Sequence, residues 1–329
     1  MILNRLFLLL SILFIISCNN NEENLDKPTI ISIIKEENSR NYNAIEKGLL
    51  DQVNLDKLNI KINFYTLDGN ESTTIQIANN VRDDNSTIAI VIGENVTLVS
   101  MNVIVPQSII FAGFFDNLSI SNIYKSKIQN NNITGVYGNL DITKYIKKIS
   151  NKEINSFAYL YTRASTVSGH ISEHIAQYCH NENIKYYPLE IIGENYNSYD
   201  IENMIKSKNI DYLFLANEDY IDNNIYSIAY LCEKYSIPII NTDIIDAINV
   251  GILFSLDFNY YYLGRQLALM LDKIIKNNSK TEDIDFIEVS NSYRIFVNED
   301  IGNHYNIKFS DEILEISSLI LKGGNIIRK

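Results

Sequence analysis

The sequence predicts an α/β fold with two doubly wound parallel-sheet lobes and a hinged cleft between them. Strand and helix patterns alternate along the chain, which is typical of parallel sheets covered by helices on both sides. Residues 29–34 form a run rich in β-branched side chains, as expected for a strand that is buried on both faces. The alternation restarts after Tyr145, and 329 residues is the length of about two domains.

The first half of the chain supplies the elements of one lobe. Apolar residues at helical spacing, from Tyr42 to Val53, mark one face of the helix that follows the first strand. A second helix is predicted at 72–82. The predicted strands are 29–34, 60–65, 87–92, 108–112 and 133–137.

The second half repeats this pattern and then adds one long helix. That helix is predicted from Tyr260 to about Ile275 because leucines recur every four residues from Leu263. The remaining predicted helices begin at about 167, 199 and 219, and the strands are 156–161, 185–189, 212–215, 238–240, 251–256 and 292–297. We expect a first lobe of 29–137 plus about 257–280, and a second lobe of 138–256 plus about 285–329.

Composition and charge exclude some classes of function. Apolar residues make up 46% of the chain and charged residues 21%, which is enough apolar material for folded cores. With 28 basic and 40 acidic residues, the net charge of −12 would repel a phosphate backbone. Nucleic acid is therefore not an expected partner.

The N-terminus carries a targeting signal. Arg5 precedes an apolar run from Leu6 to Ile16, which is too short to span a bilayer. The end of the run, Ser17-Cys18, resembles the bacterial lipobox, in which the cysteine receives a lipid and becomes the new N-terminus. Residues 1–17 are then a lipoprotein signal peptide, Cys18 the lipidated residue, and 18–28 a flexible tether. The alternative is an ordinary signal peptide with an incidental cysteine.

The sequence lacks the common signatures of catalysis and of cofactor binding. It contains no G-x-G-x-x-G, no P-loop and no G-x-S-x-G nucleophile motif. His170 and His174 lie four residues apart on a predicted helix and could be proposed as a metal site, but a solvated surface pair explains them better. Cys232 lies on an apolar helix face, so we expect a buried thiol; a disulfide with Cys179 is the alternative. We expect no enzyme activity, no catalytic residue, no cofactor and no metal.

Acidic residues follow several predicted strands, where ligands bind in open α/β sheets. Asp116, Glu218 and Asp243 are candidates for binding the polar groups of a ligand, and capping of a helix N-terminus is the alternative for each. Arg163 is a candidate clamp for a carboxylate, with a surface salt bridge as its alternative. Asp257 is expected to cap the long helix. The candidate apolar or cation–π walls are Phe114, Phe115, Tyr161 and Tyr220.

Two segments of the second half carry a family resemblance. Residues 237–243 (IPIINTD), followed by Gly251, Asp257, Tyr260 to Tyr262 and the Leu263-Gly264-Arg265-Gln266 motif, resemble the ABC-transporter substrate-binding lipoproteins related to tryptophan- and phenylalanine-binding proteins. The resemblance covers residues 29 to about 315. It implies a type I periplasmic binding protein fold with a hinged cleft that captures a small solute.

The chain departs from this family at two positions that line the first lobe's side of the cleft. Ser39 and Arg40 stand where the family often has His-Pro, and Gly93-Glu94 replace a Thr-Pro pair. Ser39 and Gly93 are therefore candidate ligand-binding positions on the basis of the resemblance. The identity of the ligand is the part that transfers least.

The resemblance implies an extracytoplasmic solute-binding lipoprotein of an ABC importer. It would act as a monomer, anchored to the membrane by lipid (palmitate or a related acyl chain) at Cys18. It would deliver a small solute to a membrane permease, with an amino acid, and an aromatic one first, as the candidate solute. The alternative is a surface sensory or interaction lipoprotein that keeps the fold without transport.

Overall fold

The structure is a computed structural model. It describes residues 27–67, 71–114, 117–127, 131–163, 166–193, 196–215, 218–289 and 293–329. Three of the candidate functional residues, Cys18, Phe115 and Asp116, lie outside the described residues. No helix in the described ranges is long and apolar enough to cross a membrane.

The described elements alternate between strand and helix, as the sequence predicts. The strands are β1 (Thr29–Lys35), β2 (Ile60–Thr66), β3 (Ile88–Ile92), β4 (Ser108–Ala112), β5 (Ile133–Tyr137), β6 (Ser156–Thr162), β7 (Lys185–Ile191), β8 (Tyr212–Leu215), β9 (Ile239–Asn241), β10 (Phe254–Phe258), β11 (Ile287–Glu288), β12 (Tyr293–Asn298), β13 (Leu319–Lys322) and β14 (Asn325–Arg328). The helices are α1 (Arg40–Leu55), α2 (Glu71–Asp83), α3 (Glu94–Val103), α4 (Asn117–Lys127), α5 (Thr143–Ile146), α6 (Thr166–Asn181), α7 (Ser198–Ile205), α8 (Asp219–Lys234), α9 (Ile244–Val250), α10 (Tyr260–Asn277), α11 (Glu299–His304) and α12 (Asp311–Ile316).

The strands form two sheets, one in each lobe. The first sheet has six strands in the order β11-β5-β4-β3-β1-β2, and all its pairs are parallel. Its strand β1, which lies between β3 and β2, is buried on both faces, since Ile31 and Ile33 enter one apolar core and Ile34 enters the other. This confirms the interpretation of the β-branched run at 29–34.

The second sheet has eight strands in the order β14-β13-β12-β10-β9-β8-β6-β7. The pairs from β7 to β10 are parallel, whereas β12 is antiparallel to β10 and β14 is antiparallel to β13. Two doubly wound, mainly parallel lobes confirm the predicted fold class. The short C-terminal elements after residue 298 add a parallel strand and an edge hairpin that the sequence pattern does not reveal.

The chain passes between the lobes three times. It leaves the first sheet after β5, returns after β10 into α10, and leaves again between β11 and β12. Because β11 pairs with β5, the segment from residue 285 begins in the first lobe and reaches the second lobe only at Tyr293. The last boundary therefore lies several residues later than the sequence suggests.

Two glycines allow α1 and α10 to pack with their backbones in contact. A Cβ atom added at Gly264 would lie 1.9 Å from the carbonyl oxygen of Ile45, and one added at Gly48 would lie 2.0 Å from the carbonyl oxygen of Tyr261. Leucines of α10 fill the same core as the inward face of α1. The glycine of the Leu263-Gly264-Arg265-Gln266 motif is therefore a packing residue.

Candidate functional site

The two lobes meet at the carboxyl ends of their strands. Arg40, the first residue of α1 in the first lobe, contacts the carboxylate of Asp243, which follows β9 in the second lobe. The side chain of Arg40 is 48% exposed and that of Asp243 is 10% exposed. The cleft thus lies where ligands bind in doubly wound sheets.

Arg40 occupies a position that its own helix disfavours. The N-terminus of a helix carries a partial positive charge, so a cation there needs a negative partner. Ser39 caps the helix by accepting a hydrogen bond from the Tyr42 N–H at 3.3 Å, and the Arg40 side chain turns away to Asp243. Ser39 therefore has a capping role at the edge of the cleft.

Asp243 has two roles. One carboxylate oxygen accepts hydrogen bonds from the backbone N–H groups of Ile245 (2.7 Å) and Asp246 (3.1 Å), which caps α9. The other oxygen meets Arg40. Asp243 is therefore both a helix cap and a residue of the cleft.

A second ion pair lies at the passage from β10 into α10. Asp257 in β10 contacts Arg294, its partner in the antiparallel register of β12. Burial raises the pKa of Asp257 to about 6, although Arg294 and Arg40 act in the opposite direction. The prediction that Asp257 caps the long helix is wrong, because Asn259 accepts the Tyr262 N–H at 3.1 Å and is the cap.

Two tyrosines lie among acids of both lobes. Burial, together with the negative charges of Glu36 and Glu37, raises the pKa of Tyr42 well above its usual value. Burial raises the pKa of Tyr260 as well, and Asp257 reinforces this. Arg40 and Arg294 act in the opposite direction on Tyr260, so the negative field comes from the acids around Tyr42, and that part of the cleft favours positively charged groups.

The carboxylate of Glu36 lies at the N-terminus of α3. It accepts the backbone N–H of Asn95 at 3.1 Å and the Asn95 side-chain amide at 2.6 Å. Gly93, the N-cap residue, has φ = 127°, and a Cβ atom there would lie 2.2 Å from Oε2 of Glu36. Gly93 thus lies at the cleft end of β3, and its lack of a side chain makes room for Glu36.

Glu218 is hydrogen-bonded entirely within the second lobe. Its carboxylate accepts the backbone N–H of Thr162 at 3.0 Å, the Thr162 hydroxyl at 2.6 Å, and the hydroxyl of Ser168. These bonds join the end of β6 to α6 and to the start of α8. Glu218 therefore holds these elements together at the cleft end of the sheet.

Two other predicted site residues have their partners within their own lobe. Arg163 is 60% exposed and pairs with Glu190, which is the surface salt bridge given above as its alternative. Phe114 has no exposed surface and packs edge to face on Phe111, with ring centroids 5.1 Å apart. The structure therefore places Phe114 in the core of the first lobe, because its apolar ring gains more from burial than from lining a polar cleft.

The cysteines and histidines of the second lobe form no reactive site in the described ranges. Cys179 and Cys232 are free and buried in the cores on opposite faces of the sheet, and burial raises the pKa of each thiol to about 12. His174 is exposed and lies 3.3 Å from Asp141. Across the described residues, no group of acids, histidines and cysteines could hold a metal ion.

A cavity of about 810 Å³ lies at the opposite pole of the first lobe. Its lining includes Thr29, Thr87 and Ser108, which begin or precede β1, β3 and β4, so it lies at the amino ends of the strands. Ligands of such sheets bind at the carboxyl ends. We therefore assign the candidate site to the cleft between the two lobes, where Arg40 meets Asp243.

Comparison with protein families gives the cleft a context. The family model described as "ABC transporter substrate binding protein" matches residues 29–319, almost all of the described chain. The chain belongs to this family. Members of this family bind a solute for a transporter and are not enzymes. The predictions of solute binding and of no enzyme activity are therefore confirmed. No curated protein matches this ABC transporter substrate-binding protein.

Solved structures share the fold of this substrate-binding protein. A domain from Streptococcus pneumonia in complex with L-Trp is 16% identical, with a TM-score of 0.71 over 90% of this chain and 100% of that one. A ligand-free, open substrate-binding protein with adhesive properties from Clostridium difficile is 18% identical, with a TM-score of 0.69 over 89% and 100%. A conserved domain protein from Vibrio cholerae is 16% identical, with a TM-score of 0.69 over 90% and 100%. At these identities the similarity establishes the fold alone.

Several cleft residues are not among the binding residues predicted from the sequence. Arg40 carries a signal, since a cation at the first position of a helix is unfavourable unless an anion faces it. Glu36 also carries one, because it directly follows β1 at the carboxyl edge of the sheet. Arg294 and Tyr260 carry no local signal, since only the tertiary fold brings them to the cleft.

Proposed function

We propose that the protein is an extracytoplasmic solute-binding lipoprotein of an ABC importer, which captures an amino acid by closure of its two lobes and presents it to a permease. The contact between Arg40 and Asp243 carries this proposal, because it joins the lobes across the cleft at the carboxyl ends of both sheets. The surrounding acids suit the ammonium group of an amino acid. The L-Trp complex of the Streptococcus domain makes an aromatic amino acid the first candidate.

Binding energy would be used to favour the closed arrangement. A ligand that contacts both lobes binds the closed state more tightly and so shifts the population toward it. The ion pair between Arg40 and Asp243 would contribute to that state, because it joins the two lobes. The permease would then distinguish the loaded protein by its closed shape.

The experiment is a thermal-shift screen of the purified full chain against the proteinogenic amino acids, followed by calorimetry. A ligand that binds only the folded state stabilises it by about 2.7 kcal/mol at a hundredfold excess over its Kd. Stabilisation by one or a few amino acids supports the proposal. If none of them stabilises the chain, the amino-acid proposal fails and the surface interaction alternative gains weight, for which the adhesive Clostridium relative is a precedent.

Removing the inter-lobe ion pair should weaken solute binding without unfolding the protein. We expect Asp243→Asn to lower the affinity for the stabilising amino acid by about three- to tenfold, because the closed state loses a partly exposed ion pair. Asparagine still caps α9, so the melting temperature should change little. Isothermal calorimetry measures the affinity, and Arg82→Ala is the control, since it removes an exposed arginine that pairs with Asp83 ahead of the amino end of β3. Equal affinities of all three proteins would contradict the role of the pair.

The lipid anchor is proposed from the N-terminal motif. We expect cells grown with labelled palmitate to label the wild-type protein and Cys179→Ala, but not Cys18→Ala. Cys179 is buried, so its removal leaves the modification signal intact. Labelling that persists in Cys18→Ala would contradict the lipoprotein assignment.

A further inference from the structure

The first-lobe wall of the cleft contains a partly buried carboxylate, that of Glu36, whose pKa is raised by burial. The N-terminus of a helix with free N–H groups is a common binding site for carboxylates and phosphates. Here the carboxylate of Glu36 takes that position on α3 and receives both the backbone N–H and the side-chain amide of Asn95. Gly93 makes room for it, since any side chain there would overlap Glu36.

The surroundings of Glu36 form one continuous patch of the wall. A Cβ atom added at Gly113 would lie 2.8 Å from the backbone nitrogen of Gly93 and 3.4 Å from the ring of Tyr42. The two glycines, at the ends of β3 and β4, thus form a floor without side chains beside the Tyr42 ring. Glu36 and Glu37 both act on the Tyr42 phenol. This patch offers a carboxylate and an aromatic ring, the two groups that bind an ammonium ion.

From this arrangement we infer that Glu36 determines specificity: it fills the anion position of α3, so the first-lobe wall accepts the ammonium end of a solute and rejects its carboxylate. The inference rests on the proposed function and concerns the same cleft. A solute carboxylate placed at α3 would face Glu36 at short range in a partly desolvated site, and like charges there repel strongly. Arg40 and Arg294 contact Asp243 and Asp257 of the second lobe rather than Glu36.

The experiment compares solutes that differ only in their charged ends. Calorimetry on the purified full chain would use L-tryptophan, tryptamine, which lacks the carboxylate, and indole-3-propionate, which lacks the ammonium group. L-phenylalanine, phenethylamine and hydrocinnamate form a second series. We expect the amine to bind within about tenfold of the amino acid and the acid to bind at least about a hundredfold more weakly, as the loss of charge-assisted hydrogen bonds predicts.

Variants of Glu36 test whether this residue causes the expected order of affinities. Glu36→Gln removes the charge and keeps an oxygen that can accept the Asn95 N–H, whereas Glu36→Ala vacates the position. We expect either change to move the ratio of acid to amine affinity toward the acid by about tenfold or more. Glu312→Gln makes the same change in net charge at an exposed ion pair of the second lobe and should leave the ratio unchanged.

The failures of the two proposals can be told apart. If the acids bind the wild-type protein as tightly as the amines do, or if both Glu36 variants leave the ratio unchanged, the inference about Glu36 is overturned while solute binding stands. If none of the six compounds binds, the aromatic amino acid of the proposed function is overturned as the solute, and the inference falls with it.

Discussion

Replacing Gly264 by alanine should destabilise the first lobe by at least about 3 kcal/mol, a large part of the ~5 to 15 kcal/mol that stabilises a typical domain. The new Cβ atom would lie 1.9 Å from the carbonyl oxygen of Ile45 and 2.8 Å from the backbone nitrogen of Leu49. Both are backbone atoms of α1, so relief requires the two helices to move apart. Thermal melts followed by circular dichroism would measure the loss.

A matched glycine provides the control for this prediction. Gly169 lies in α6, and a Cβ atom there would meet no atom within 4 Å. Gly169→Ala should be neutral or stabilise by up to about 1 kcal/mol, because alanine is the better helix former. If Gly264→Ala melted at the same temperature as Gly169→Ala, the close approach of α1 and α10 would be contradicted.

Asp257→Asn should stabilise the protein near pH 7.5 and remove part of its dependence on pH. The pKa of Asp257 is raised from 3.8 to about 6 in the folded state, so between these values the folded state binds a proton that the unfolded state does not. The free energy of unfolding should therefore rise as the pH falls from about 7 to about 4, by roughly 2 to 3 kcal/mol from this group. Asparagine is neutral throughout, so urea titrations at several pH values should show a flatter profile.

The expected gain at neutral pH is about 1 to 2 kcal/mol, less than the full shift because Arg294 loses a partner. Asp84→Asn is the opposite control. Burial acts against ionisation of Asp84, but hydrogen bonds from Ser32 (2.6 Å) and Ser86 (2.9 Å) outweigh it and lower the pKa of that carboxyl. Asp84→Asn should therefore destabilise the protein at pH 7.5. A loss of stability in both variants would contradict the assignment for Asp257.

Long periodic segments allowed the fold to be predicted from sequence. The run at 29–34 and the leucine face of α10 each carry enough apolar residues for their burial to dominate local preferences. Two helices of ten and eleven residues, α3 and α4, were missed in the sequence. The other missed elements are shorter, and α5, α9 and β11 among them have two to seven residues. Segments of that length contain too few repeats of an apolar pattern to identify a helix or a strand, so tertiary packing decides their conformation.

The candidate site was predictable where function and helix capping coincide. Asp243 follows a recognisable strand, and its two roles both depend on that position. Asp257 was misjudged because β10 runs from Phe254 to Phe258, two residues beyond the predicted strand end, which moves the residue from a cap into the sheet. Arg163 could not be decided, since its partner Glu190 comes from another strand.

The position of α10 also constrains the order in which the chain can fold during synthesis. The core of the first lobe contains side chains from α1 and from α10, two helices separated by almost the whole second lobe in sequence. A nascent chain that has emerged only as far as β9 therefore leaves uncovered the part of α1 that α10 packs on. The first lobe is synthesised first but completed late, and because its core joins segments far apart in sequence we expect it to fold slowly. Its apolar core stays incomplete until α10 has been synthesised.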